Sequence, residues 1–164
     1  MDLQKLITRL LKYNLWANER LTAWLLTQHP SLLYEKTGSS FGTIAHTLQH
    51  ILSGQNYWHG IIAKGQIKEY NQPVGENAAA QIISDLIVSS QQLIDDLSTL
   101  NDQQLTENIQ ASDSKQSRYE YILHVVNHGS YHRGQVVTMC RALSIKEEIP
   151  VTDYDGYLWW IENM

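Results

Sequence analysis

Apolar side chains recur at three- and four-residue steps along most of this chain. Leu3, Ile7, Leu10, Ala17, Leu21 and Trp24 repeat with the period of an amphipathic helix over residues 3–27. Pro30 marks its end. A second helix is predicted from near Phe41 to about Lys64, with Ser39 or Ser40 placed to accept from the amides of its first turn. Asn77 is placed to cap a third, whose stripe is Ala79, Ile83, Leu86, Leu93, Leu97 and Leu100 and which ends near Asn101. Ser117 followed three residues later by Glu120 fits a capping box, and the helix it opens runs to about Leu143.

Between these helices lie "HPSLLYEKTGSS" and "GQIKEYNQPVG", which carry no helical period and read as loops, the second separating two antiparallel helices. The polar stretch 102–116 has room for a short strand or a turn. The tail "IPVTDYDGYLWWIENM" reads as a short helical segment packed across the bundle. Four long amphipathic helices without a convincing strand pattern predict an all-α fold, a four-helix bundle formed by a single domain over residues 1–164. Loops of about 10 residues exceed the 2–8 usual in simple bundles, so up-and-down order is not required.

The fourth helix turns polar where its apolar face should continue. At 100° per residue, Tyr121, Val125, Val136, Met139 and Leu143 cluster within about 60°; His132 falls inside that cluster and His128 about 20° outside it. His124 lies roughly 60° beyond the cluster, on the mainly polar side. A four-residue step brings two imidazoles to within about 6 Å on one face, close enough to share one ion. On the second helix, Thr43, Thr47, His50, Gly54, Tyr57 and Ile61 form a second stripe beside the apolar one, and small neighbours leave volume next to His50. The apolar stripes of the first and third helices are interrupted at the same height, by Asn14 and Ser90. A polar layer inside a bundle is costly unless its groups are bonded, and bundle cores commonly build metal sites from facing helices. His50, His128 and His132 are therefore the candidate ligands of one divalent ion, and three neutral imidazoles would leave positions open for water or substrate.

The other candidates carry less. His46, four residues before His50, offers a rival pair that spacing does not exclude, but it drifts about 40° off the stripe. His29, beside Pro30, and His59, near a helix end, read as solvated surface residues. Cys140 sits among apolar neighbours and reads as a small core hydrophobe. Trp16, Trp24, Trp58, Trp159 and Trp160 read as core or end packing. No carboxylate lies on the polar layer, so no general base is evident; Asn14 and Gln135 can orient groups but cannot titrate.

Composition narrows the partners. Hydrophobic residues are 43% and charged residues 18%, a globular balance. A net charge of −5 with no run of Lys or Arg argues against nucleic acid. No apolar run approaches the roughly 20 residues that span a bilayer, which argues against a membrane protein. One cysteine forms no internal disulfide, and the amphipathic N-terminus does not resemble a signal segment, so the expected location is cytoplasmic.

The stretch "NHGSYHRGQ", residues 127–135, resembles the Asn-His-Gly-x-x-His-Arg-Gly-Gln signature of the DinB/YfiT-like family of candidate metalloenzymes. "YNLWAN" at 13–18, "LQHILSGQNYW" around His50 and the closing "IPVTDYDGYLWW" are similar to the family as well, so the resemblance spans nearly the whole chain. It implies a bundle in up-down-down-up order, a three-histidine site for zinc or nickel at the same three residues, and a homodimer. The family name records DNA-damage induction and does not mean the error-prone polymerase of the same name. Some relatives transfer low-molecular-weight thiols or isomerise their conjugates. The expected function is a metal-dependent enzyme activating a bound thiol or water, transferase-like or hydrolase-like, with a small-molecule substrate. The alternative is a non-catalytic, stress-associated metal-binding dimer.

Overall fold

Each long helix whose start is described opens where a polar side chain can take an amide that the helix leaves unpaired. The computed structural model describes residues 2–66, 78–111 and 113–164. Helix α1 spans Leu3–Leu25, and Asp2 accepts from the Lys5 amide at 2.8 Å. Helix α2 spans Ile44–Lys64. It starts later than the sequence pattern suggests, because Gly42 takes a left-handed φ of +73° and Thr43, not Ser39 or Ser40, accepts from the His46 amide at 3.1 Å. Phe41 is thereby left outside the helix.

Helix α3 spans Ala78–Leu97. The proposed Asn77 cap and most of the loop before it lie outside the described residues. The helix stops short of Asn101 because that side chain begins a new element. Asn101 and Gln104 close a capping box on the one-turn helix α4, Asp102–Thr106, with bonds of 2.9 and 3.0 Å. Strands β1 (Asn108–Ala111) and β2 (Ser114–Ser117) then pair antiparallel, Asn108 opposite Ser117. Helix α5 spans Arg118–Ala142, and Glu120 accepts from the backbone amide of Ser117 as the capping pattern requires, and from its hydroxyl as well. Helix α6, Tyr154–Glu162, lies against α1, where Tyr154, Tyr157 and Trp160 meet Tyr13 and Trp16.

Among the described residues the fold is all-α apart from this strand pair. Helix α1 packs mainly on α3 and α5, and α2 packs on the same two. The spacing of α1 explains how the interior is organised. Its buried stripe reads Ile7, Leu11, Asn14, Asn18, Leu21, Leu25: apolar at both ends, polar in the middle. The core divides accordingly. One cluster gathers Leu21, Leu25, Leu48, Ile51, Leu52, Leu86, Val136 and Met139; another gathers Ile7, Leu11, Ile61, Leu93, Leu97, Tyr121, Ile122 and Val125. Each fully buried Leu or Ile contributes roughly 1.5–3 kcal/mol, so these two halves stabilise the bundle while its waist is free to carry polar groups.

Candidate metal centre

The polar waist contains two arrangements. The inner one is a hydrogen-bonded belt. Asn14 donates to Gln55 Oε1 at 2.7 Å, Asn18 donates to Ser90 Oγ at 2.9 Å, and Gln55 donates to Ser90 Oγ at 3.1 Å. Arg133 is 2% exposed and donates from Nη1 to Asn14 Oδ1 (3.0 Å) and Asn18 Oδ1 (2.8 Å), and from Nη2 to Ser130 Oγ (3.0 Å). Its guanidinium also lies 5.5 Å from the centre of the Tyr13 ring. Among the described residues no carboxylate pairs with it, its Nε has no partner, and burial pulls its pKa down. Asn14 and Ser90 therefore do form the polar layer that the sequence suggested, but they serve this belt and do not face the histidines. Arg133 was missed because an arginine on a helix usually reads as solvated. Its signal was its position on a 4-3-4-3-4 stripe with Ile122, Val126, Gly129, Val136 and Cys140, all buried or close-packed.

The outer arrangement lies between α2 and α5. His50, His128 and His132 each offer one nitrogen, and these three atoms lie within 4.8 Å of one another. Nε2 of His128 is 3.0 Å from Nε2 of His50. Tetrahedral ligands at about 2.05 Å from zinc are roughly 3.3 Å apart, so the pair is already within a few tenths of an ångström of ligating distance. His132 is 6% exposed, and its Nδ1 meets Gln135 Oε1 at 2.8 Å, which leaves Nε2 for the centre. Desolvation is the main cause lowering the pKa of His50, with the charge of His132 adding to it. His128 is pushed down to about 4, first by desolvation and then by His132, His50 and His124. Both are thus held neutral, the form that binds a metal.

Local packing explains why the rings converge. Gly54, one turn after His50, does not leave a void as its size suggested; the His128 ring fills the space, and a Cβ there would lie 2.9 Å from His128 Cε1. Phe41 stacks on His50 with ring centres 4.2 Å apart and meets His132 edge-on at 5.5 Å. The aromatic wall comes from the loop before α2, where no periodicity could have pointed to it. Tyr131 touches His132 from the other side and is 66% exposed. A cleft of about 550 Å³ opens beside this edge, lined by Gln135, Tyr131, Thr138, Met139 and the 37–40 loop.

The remaining residues sort by position. His46 is exposed and its Nδ1 lies 3.3 Å from the Phe41 carbonyl, so the rival pair is not assembled. His124 is exposed and stands outside the group, its ring against Trp58. His29 is exposed, as expected, and caps the short 3-10 turn Pro30–Tyr34. His59 overturns its surface assignment: it is 5% exposed and bonds Asp96 Oδ2 at 2.8 Å, because the α2–α3 contact covers the end of the helix. Cys140 is buried, which pushes its thiol up to about 11 and leaves it inert. Among the described residues no carboxylate joins the three imidazoles, and no helix is long and apolar enough to cross a membrane.

Comparison with known proteins agrees with the architecture. The chain is 26% identical over 161 residues to Protein DinB of Bacillus subtilis (strain 168), covering 92% of each. It shares its fold with the crystal structure of a DinB-like protein from Bacillus cereus ATCC 10987, at a TM-score of 0.69 and 17% identity, covering 85% of this chain and 91% of that one. The DinB family pattern matches residues 2–164, and the chain belongs to the DinB family.

Proposed function

We propose that His50, His128 and His132 hold one divalent ion, zinc or nickel, and that the protein is a metal-dependent enzyme acting on a bound thiol or water. One observation carries this reading: three imidazole nitrogens lie within 4.8 Å of one another, with no fourth ligating side chain grouped with them among the described residues. Structural zinc sites are usually closed by four protein ligands, so an open tripod beside a cleft favours reactivity over a scaffolding role. An ion held there lowers the pKa of a bound water or thiol toward neutrality.

The chain's own residues supply the rest. Burial keeps His50 and His128 neutral and ready to ligate. Gln135 Oε1 accepts a hydrogen bond from His132 Nδ1–H and so orients that ring. Phe41 covers one face of His50 and keeps water from it. No carboxylate in the group serves as a general base. Thiol activation is therefore favoured, since a thiol begins near pKa 8.5, far below that of water. The protein functions as a cytoplasmic homodimer on a small-molecule substrate.

Metal analysis of untagged protein purified without chelator, beside His128→Ala/His132→Ala, tests the site: about one ion per wild-type chain and none in the variant are expected. Equal content in both overturns it. A screen of thiol transfer and hydrolysis with zinc- and nickel-loaded protein then tests the reaction.

A further inference from the structure

Among the described residues, the cleft beside His132 is lined by no ionisable side chain except the Tyr131 phenol. Its volume of about 550 Å³ falls within the 300–1,000 Å³ usual for small-molecule sites. Besides the Tyr131 phenol, the polar side chains on its wall are the hydroxyls of Thr37, Ser39, Ser40 and Thr138 and the Gln135 amide; Met139, Ala142 and the Tyr131 ring supply the apolar part. Gln135 is the link to the histidines. Its Oε1 accepts from His132 Nδ1, so the other end of the same amide is a two-proton donor, and among the described residues it reaches no protein acceptor. Thr138 Oγ1 already donates to the Gly134 carbonyl at 3.0 Å, which leaves its oxygen able only to accept, and Ser40 Oγ has no protein partner among the described residues.

We infer that this cleft receives the body of the ligand, and that this body is uncharged, partly apolar and carries an oxygen that accepts from Gln135 Nε2. The inference rests on the metal-centred reading only for which end of the ligand reacts. A charged group placed here would lose water without gaining a counter-ion, which is costly in either sign. An acceptor oxygen would instead meet a donor already oriented by its bond to His132. Gln135 therefore both aims the imidazole and selects the ligand, so that occupancy of the cleft and geometry of the centre are linked through one amide.

The test uses three probes on one scaffold: N-acetylphenylalanine amide (neutral), N-acetylphenylalanine (anion) and N-acetyl-4-(aminomethyl)phenylalanine amide (cation). Each is titrated into the full-length protein at pH 7, metal-free and zinc-loaded, with backbone amide shifts of Ser40, Gly134 and Thr138 as the readout. The metal-free arm decides, since no ion is there to draw the carboxylate. The neutral probe is expected to bind at least about tenfold tighter than either charged one. Gln135→Leu should weaken it about threefold to tenfold, the worth of one hydrogen bond. Equal or tighter binding of a charged probe, or no saturable shift at these amides with the neutral one, overturns the inference. Neutral preference in a protein that holds no metal would overturn the proposed function alone; bound metal without that preference would overturn this inference alone.

Discussion

Replacing Gly54 with alanine should move metal affinity and fold stability in opposite directions. Gly54 lies in α2, and an added Cβ would sit 2.9 Å from Cε1 and 3.2 Å from Nδ1 of His128, against 3.4–4 Å for ordinary contact. The ring must therefore retreat by about 0.5 Å, whereas metal–ligand distances tolerate about 0.2 Å. Zinc affinity is expected to fall about 10- to 100-fold, the usual cost of disturbing a ligand through its surroundings and equal to about 1.4–2.8 kcal/mol. The metal-free bundle loses nothing comparable, because the half-exposed His128 ring can swing outward, and Gly→Ala inside a helix contributes about 0.8–1.0 kcal/mol of stability. Chelator competition gives the affinity, and urea unfolding of the metal-free protein gives the stability, with His46→Ala as the exposed control. Stability raised by Gly54→Ala with zinc affinity still within about twofold of wild type would refute the idea that His128 must occupy this position to complete the tripod.

Four further outcomes follow from the same geometry. The lowered pKa values of His50 and His128 mean that the unfolded chain binds more protons than the folded one between the unfolded value of 6.5 and about 4. Stability of the metal-free protein should therefore fall as pH drops through that window, by less than about 1.4 kcal/mol per pH unit for each partly solvated ring. Urea titrations should show a shallower fall in His128→Ala, and identical slopes would count against the assignment. Gly129→Ala should destabilise by more than 1 kcal/mol on the order expected for overpacking, since its Cβ would meet Asn14 Oδ1 at 2.8 Å and Arg133 Nη1 at 2.9 Å; Gly134→Ala, with open space around it, should stabilise by about 0.5–1 kcal/mol in the same assay. Arg133→Ala leaves the buried Asn14 and Asn18 oxygens without this donor and opens a cavity, and should cost about 2–4 kcal/mol by chemical denaturation, with a loss under about 1 kcal/mol showing that the belt is not cooperative. Cys140, buried with its thiol pushed up to about 11, should react with a thiol reagent only at the rate of unfolding, and fast labelling of the native protein would contradict its burial.

The four long helices were legible because burial on one face imposes a 3.6-residue period that needs no knowledge of neighbours. Boundaries were legible where the chemistry was local, as at Ser117 and Glu120. They failed where a stronger competitor lay nearby: Thr43 behind the left-handed Gly42 displaced Ser39 and Ser40, and the Asn101 capping box cut α3 short. The hairpin 108–117 was not legible, since strands of four residues with mostly exposed side chains carry almost no alternation. His59 was misassigned for a related reason, as helix position alone does not reveal that α3 covers it with Asp96.

By itself the sequence determined that three histidines stand on two helices with a polar layer at mid-height, because helical spacing fixes direction around each axis. Only the tertiary structure decided how that layer divides. Arg133 with Asn14, Asn18, Gln55 and Ser90 closes an inner belt, while the imidazoles converge outside it against Phe41 and Gln135. Periodicity gives a residue's angle on its own helix, but which groups face each other depends on the rotation and height of one helix relative to the next. Those are set jointly by the two apolar clusters on either side of the waist, through contacts between residues far apart in the chain.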